Sequence, residues 1–221
     1  MSDLTLFIGN KAYSSWSLRA WLAVEHVGAP YKEVVIPLEG PGTRTTAIQA
    51  HSPSGKVPAL QHGDLVLWDS LAICEYLAEL HPNAKLWPDD RATRAVARCV
   101  SAEMHSGFPA LRSFMPMNVR RDPIVLAPTP EVSEEIARIV AVWADCRKRF
   151  GAGGPYLFGR FSIADAMYAP VAARFRTYGV PLDAESRAYV DALYEMPSMR
   201  KWIAGGKRET WAIGAYERVG K

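Results

Sequence analysis

The chain has 221 residues, 49% of them hydrophobic and 22% charged, a composition that excludes disordered, collagen-like and coiled-coil chains. At that length it holds one large unit or two smaller ones, and it buries enough surface to need neither disulfides nor a metal for stability. Its 26 basic and 23 acidic residues are spread along the chain, a net +3 without the dense basic stripe that nucleic-acid binding requires.

The elements follow in chain order. Leu4-Thr5-Leu6-Phe7-Ile8 is a short apolar run ended by Gly9-Asn10 and predicts a buried strand and a turn. Apolar residues from Ser15 to His26 predict a helix stopped by Gly28-Ala29-Pro30. Tyr31 to Leu38 is β-branched and predicts a second strand. Leu60-Gln61-His62 and Leu65-Val66-Leu67-Trp68 flank Gly63-Asp64 and predict a hairpin. Leu71, Cys74, Leu77 and Ala78 recur at helical spacing behind Asp69-Ser70, a capping pair. Residues 82–90 form a linker, after which strand patterns vanish. Residues 91–107, 131–150, 163–178 and 184–204 all carry helical periodicity, broken at Pro128/Pro130, at Gly151–Gly154 and at Pro181. The expected fold class is therefore α/β followed by all-α. The expected boundaries are 1–81 for the α/β unit, 82–90 for the linker and 91–221 for the helical unit.

No apolar run approaches the roughly 20 residues of a membrane helix. Met1-Ser2-Asp3-Leu4 lacks a basic segment followed by an apolar core, so no secretory signal is expected. Cys74, Cys99 and Cys146 are scattered without metal-ligand spacing and read as free thiols of a cytoplasmic protein.

Three motifs carry chemistry. Tyr13-Ser14-Ser15-Trp16-Ser17-Leu18-Arg19 lies between the first strand and the first helix, and it sets hydroxyls at a helix N-terminus that favours an anion. Redox proteins of this layout carry C-x-x-C there. Ser14-x-x-Ser17 forms no disulfide, but a hydroxyl can donate to a thiolate that a ligand brings; capping the helix is the simpler role. In Ser52-Pro53-Ser54-Gly55-Lys56-Val57-Pro58-Ala59-Leu60, Pro58 is a candidate cis proline. It would leave the Val57 backbone at the sheet edge, open to an extended peptide. Lys56 suits a carboxylate. In Trp68-Asp69-Ser70-Leu71-Ala72-Ile73, Ser70 and the helix N–H groups suit a carboxylate while Asp69 suits an ammonium. Together the motifs describe a short peptide with a thiol, an extended backbone and an amino-acid zwitterion at one end, which is the shape of glutathione.

With these motifs the sequence resembles a cytosolic glutathione S-transferase over essentially its whole length. A further match is Gly159-Arg160-Phe161-Ser162-Ile163-Ala164-Asp165, similar to the family's buried capping box, in which Asp165 is structural. The resemblance implies a thioredoxin-like N-terminal domain followed by an all-helical C-terminal domain. It implies glutathione as co-substrate without a metal, a small electrophile as second substrate, a homodimer, a cytoplasmic location and neither nucleic-acid nor membrane partners. By the same resemblance Ser14 is the thiol-activating hydroxyl, with Ser15 and Ser17 its competitors and Tyr13 a weaker one. Val57 next to Pro58 would hold the cysteinyl backbone, Lys56 the glycyl carboxylate, and Asp69 with Ser70 the γ-glutamyl group.

The serine motif is most similar to the zeta class, where Ser-Ser-Cys-Ser-x-Arg is usual. Trp16 stands in the cysteine's place, which speaks against thiol chemistry by the protein itself and against maleylacetoacetate isomerase activity. The activities implied are conjugation of an electrophile and reduction of peroxides, then the isomerisation, then a non-enzymatic role. The second substrate is expected beside the first helix of the helical unit, near Glu103, Ser106 and Gly107. His105 is expected to be structural, Arg120-Arg121 to be a solvated basic turn, and Glu103 to reach a partner's glutathione.

Overall fold

The computed structural model describes residues 3–38 and 45–220, so the outer limits drawn above, residues 1 and 221, lie outside the described residues. Four strands, β1 (Leu4–Ile8), β2 (Lys32–Val35), β3 (Ala59–His62) and β4 (Leu65–Leu67), form one sheet in the order β2-β1-β3-β4. β2 runs parallel to β1, whereas β3 and β4 are antiparallel to their neighbours. The parallel pair is joined by helix α1 (Ser15–Val27), which ends where Gly28 enters the left-handed region at φ 71°. A short α2 (Thr46–Gln49) precedes β3, and α3 (Ser70–Leu80) follows β4. The β-α-β and β-β-α order expected from the sequence is present, with β2 shorter than the run Tyr31–Leu38.

Beyond a 3-10 turn at Pro82–Ala84 the described elements are α4 (Arg91–Ser106), α5 (Pro109–Phe114), α6 (Pro130–Phe150), α7 (Ile163–Thr177), α8 (Ala184–Glu195), α9 (Pro197–Arg208) and α10 (Gly214–Glu217), with a second 3-10 turn at Gly151–Gly153. One expectation is corrected: residues 184–204 are two helices, not one. Pro197 has no N–H and its ring disfavours a helical residue before it, so Met196 turns extended (φ −58°, ψ 130°) and α9 starts afresh with Pro197 in its first turn.

α1 is the element that ties the halves together. Leu18, Ala20, Trp21, Leu22 and Ala23 are all buried, so the helix is apolar around most of its circumference. It packs on α3 on one side and on α7 on another, and one continuous apolar core runs from the sheet through α1 into the helices. Trp21 meets Trp202 of α9 edge to face, ring centroids 5.2 Å apart. α9 in turn approaches the loop ahead of α1 so closely that a side chain at Gly206 would meet the Ala12 backbone nitrogen at 3.0 Å. The start of α1, where the serine motif lies, is therefore set by packing from both halves.

The expected capping box is present on α7. The backbone N–H and the hydroxyl of Ser162 both donate to Oδ2 of Asp165, at 2.8 and 3.0 Å, while Leu157 N–H and the Tyr189 hydroxyl donate to Oδ1, each at 3.0 Å. Asp165 is fully buried with its carboxylate saturated, which makes it a structural residue.

Candidate functional site

A cleft of about 640 Å³ opens between the strand-bearing half and the helices. Of the residues singled out in sequence, Ser14, Ser15, Lys56, Val57, Pro58, Asp69 and Ser70 all line it, although they come from three separate segments. Ser17 does not.

The serine turn explains the difference. Ser14 is the N-cap of α1, its Oγ accepting the Ser17 N–H at 3.3 Å. The Ser14 hydroxyl then donates to the Ser17 Oγ at 2.7 Å, and that oxygen also accepts the Gly9 N–H at 3.0 Å. Ser17 is thus buried in the seam between strand and helix, where it supports Ser14; the expectation that it contacts a ligand is corrected. Ser15 stands beside the cleft and accepts a hydrogen bond from Nη2 of Arg174 at 3.3 Å, which leaves its own proton free to donate. Tyr13 is committed elsewhere, its hydroxyl donating to Glu217 at 2.5 Å. Burial and then this carboxylate push the phenol far above its usual range, so Tyr13 is a poor thiol activator.

The second segment carries the Val57–Pro58 cis peptide named as a candidate. Neither the N–H nor the C=O of Val57 has a hydrogen-bond partner among the described residues, and Lys56 forms no ion pair there. In the third segment Asp69 caps α3, accepting the N–H groups of Leu71 and Ala72 through Oδ1 at 3.0 and 3.4 Å. Ser70 is fully buried at the first position of α3, and its Oγ has no partner among the described residues. An unpaired buried hydroxyl at a helix N-terminus costs stability unless something binds it, and it faces the site as a ready donor to an anion.

Further residues line the cleft, of which Arg174, Pro116, Ile213 and Tyr216 escaped the sequence reading. His105 bridges to Asp69, Nε2 to Oδ2 at 3.0 Å. Trp16 lies within cation–π range of two guanidiniums, Arg19 at 4.4 Å and Arg112 at 4.7 Å from its ring centre. Arg174 comes from the last turn of α7, and burial pushes its guanidinium down to about 10, with Arg112 adding to the effect. Pro116, Met117, Ile213 and Tyr216 supply an apolar wall.

The expected second-substrate face is corrected. Ala97, Val100, Ser101 and Met104 form the stripe of α4 that enters the core, and this rotation brings His105 to the cleft instead of Glu103, Ser106 and Gly107. Glu103 pairs with Arg138 through two hydrogen bonds of 2.7 and 2.9 Å. Arg120 is no solvated residue either, because it donates to Glu217 and to the carbonyls of Glu209 and Trp211.

With this geometry in hand, comparison with known proteins is informative. The model of the glutathione S-transferase N-terminal domain matches residues 13–80, and that of the C-terminal domain matches residues 129–205. Glutathione S-transferase 1 of Zea mays is 30% identical over 202 residues, covering 87% of this chain and 94% of that one. A probable maleylacetoacetate isomerase of Caenorhabditis elegans is 37% identical over 99 residues, a match that spans 45% of either chain. Among solved structures, a glutathione transferase homologue from Burkholderia gl BGR1 with bound glutathione superposes with a TM-score of 0.71 at 23% identity, over 93% of this chain and 99% of that one.

Proposed function

The chain belongs to the glutathione S-transferase family, and we propose that it binds glutathione in this cleft and activates its thiol for attack on a hydrophobic electrophile. What carries the proposal is that one cleft brings together the Ser14 turn at the head of α1, the open Val57 backbone, the Lys56 ammonium, and the Ser70 hydroxyl at the head of α3, the last three without partners among the described residues. They match, in order, a thiol, an extended peptide backbone, the glycyl carboxylate and the γ-glutamyl carboxylate. Asp69 takes the γ-glutamyl ammonium.

A free thiol titrates at about 8.5 and is only a few per cent ionised at neutral pH. Lowering that value by two units takes about 2.7 kcal/mol of preference for the thiolate. The contact between Ser14 and Ser17 reverses without moving a heavy atom: Ser17 donates to Ser14, and Ser14 turns its proton to the sulfur. Ser15, polarised by Arg174, adds a second donor, and the free N–H groups of α1 add their field. The thiolate then forms the new C–S bond as the leaving group departs with its electron pair. With a hydroperoxide it attacks the terminal oxygen, the O–O bond breaks, the sulfur is oxidised to a sulfenic acid, and the expelled alkoxide takes up a proton to leave as the alcohol. Leu65, exposed at the start of edge strand β4, and Trp68, exposed just beyond its end at the rim of the cleft, support a homodimer in which this edge is covered. Among the described residues no helix is long and apolar enough to cross a membrane.

The test is a titration of the protein with glutathione, followed by the ultraviolet absorbance of the thiolate at neutral pH. Saturable binding with thiolate absorbance is expected, and turnover of an aryl halide should follow. No binding would leave only a non-enzymatic role. The relative named as a maleylacetoacetate isomerase brings in a second activity, for which product forms without any loss of glutathione.

A further inference from the structure

Glutathione, as placed above, uses Lys56, Asp69 and Ser70, and this leaves a positive charge in the cleft that it does not address. Arg174 is occupied: Nε donates to the Met115 carbonyl at 2.8 Å, Nη1 to that of Pro170 at 3.2 Å, and Nη2 to the Ser15 hydroxyl at 3.3 Å. It belongs with the thiol turn. Arg112 is different. Its Nη2 donates to the carbonyls of Met104 and His105, but its Nε is buried without any partner among the described residues. Among the described residues no carboxylate forms an ion pair with it. Glu135, whose charge it feels, is already taken by the N–H groups of Ala110 and Leu111 at 3.2 and 2.7 Å.

The surroundings sharpen the point. Arg19 lies within range of the same Trp16 ring as Arg112, fully buried, with Nε and Nη1 also unpaired. Burial lowers its guanidinium well below the usual range, and the neighbouring Arg112 and Arg174 lower it further. Three guanidiniums therefore influence one another in one small region, and among the described residues none of them forms an ion pair with a carboxylate. Uncompensated buried charge is costly, and a cation held at the wall of a cleft is where an anion gains most.

We propose that Arg112 seats an anionic group of the second substrate, so that the preferred electrophile is an apolar molecule carrying one carboxylate. Its apolar body would rest on Pro116, Met117, Ile213 and Tyr216, and its carboxylate would take the free donors of Arg112 beside Trp16. This deepens the proposed function and rests on it.

The experiment is calorimetric binding of two preformed conjugates to the full chain: S-(4-carboxy-2-nitrophenyl)glutathione and its primary carboxamide, which differ only in charge. The carboxylate should bind at least about tenfold more tightly at low salt, the range of a charge-assisted hydrogen bond, and the preference should shrink as salt is added. In Arg112→Gln the ratio should fall to within about twofold, and Arg112→Lys should keep part of it. Equal affinities on the unaltered protein overturn the anion seat and leave glutathione binding intact. Failure of both conjugates to bind overturns the glutathione assignment, and the seat with it. Should Arg112→Gln not fold, an aminomethyl conjugate on the unaltered protein decides: it should bind more weakly than the carboxamide, and equal or tighter binding rejects the seat.

Discussion

Nε2 of His105, on the last turn of α4, meets Oδ2 of Asp69 at the head of α3 across 3.0 Å. Oδ1 of the same carboxylate holds the first N–H groups of α3. The His105 ring also stands edge-on to Trp16, centroids 5.2 Å apart, so one imidazole touches both the proposed γ-glutamyl anchor and the serine turn. The helical half thus reaches across the cleft and competes for the carboxylate that a ligand ammonium would use.

That competition gives the first prediction. The imidazole occupies Oδ2 of Asp69, the oxygen a ligand ammonium would use. Removing the ring should free that oxygen, so His105→Ala should bind S-methylglutathione about threefold to tenfold more tightly, the size of a partly exposed ion pair. Asp69 stays oriented in the variant by the N–H groups of Leu71 and Ala72. Calorimetry measures it; a variant that binds no more tightly rejects the competition.

The serine turn gives the second. Ser14→Ala removes the donor to sulfur, so the pKa of bound glutathione thiol should rise by about one to two units and turnover should fall about tenfold to a hundredfold. Glutathione affinity should change little, because Val57, Lys56, Asp69 and Ser70 hold the rest of the ligand. Ser17→Ala should act in the same direction and more weakly, since it removes the support of Ser14. Thiolate absorbance against pH separates the two. An unmoved thiol pKa in Ser14→Ala would assign activation to Ser15 and its partner Arg174.

What was legible in the sequence was local. The strand and helix order, the cis proline and the capping box all rest on residues a few positions apart, where turn chemistry and periodicity act directly. The same holds for Ser14 and Ser70, at the heads of α1 and α3, and for Lys56 in the short loop ahead of β3. What escaped depends on pairs distant in the chain. Ser15 and Arg174 are 159 residues apart, and no periodicity brings them together. A signal for Arg174 did exist: α7 is buried on every face, and an arginine in such a helix must find partners inside. The placement of Glu103 failed for a related reason, because a helical wheel shows which residues share a face but not which face meets the cleft.

The tail gives the third prediction. Oε1 of Glu217 accepts from the Tyr13 hydroxyl at 2.5 Å, from Asn118 at 3.1 Å and from Arg120 at 2.9 and 3.1 Å. Despite partial burial, the bonds from Tyr13 and Arg120 hold its carboxyl below the usual range. This one carboxylate ties α10, whose Tyr216 lines the cleft, to the loop ahead of the serine turn. Glu217→Gln should cost about 1–3 kcal/mol of stability and speed tryptic cleavage at Lys207 and Arg208. Denaturant titration and timed proteolysis measure the two effects, and unchanged cleavage would show that the tail is held by other contacts.

The fourth concerns the buried capping box. Burial pushes the Asp165 carboxyl up to about 6, against the hydrogen bonds from Leu157, Ser162 and Tyr189 that pull it down. In the unfolded chain the same group titrates at about 3.9. Between those values the native state holds more protons than the unfolded one, so the contribution of Asp165 to stability falls as pH rises from about 4 to about 6. The span of roughly two units corresponds to about 3 kcal/mol. Asp165→Asn cannot accept at both positions and should be less stable throughout, by about 2–4 kcal/mol near neutral pH. Its deficit should be largest below pH 4, where the native aspartic acid is neutral, should shrink as the pH rises from about 4 to about 6, and should level off above that. Urea unfolding of both proteins across this range measures the difference. A deficit that grows with rising pH instead would mean that the four hydrogen bonds on the carboxylate outweigh its burial.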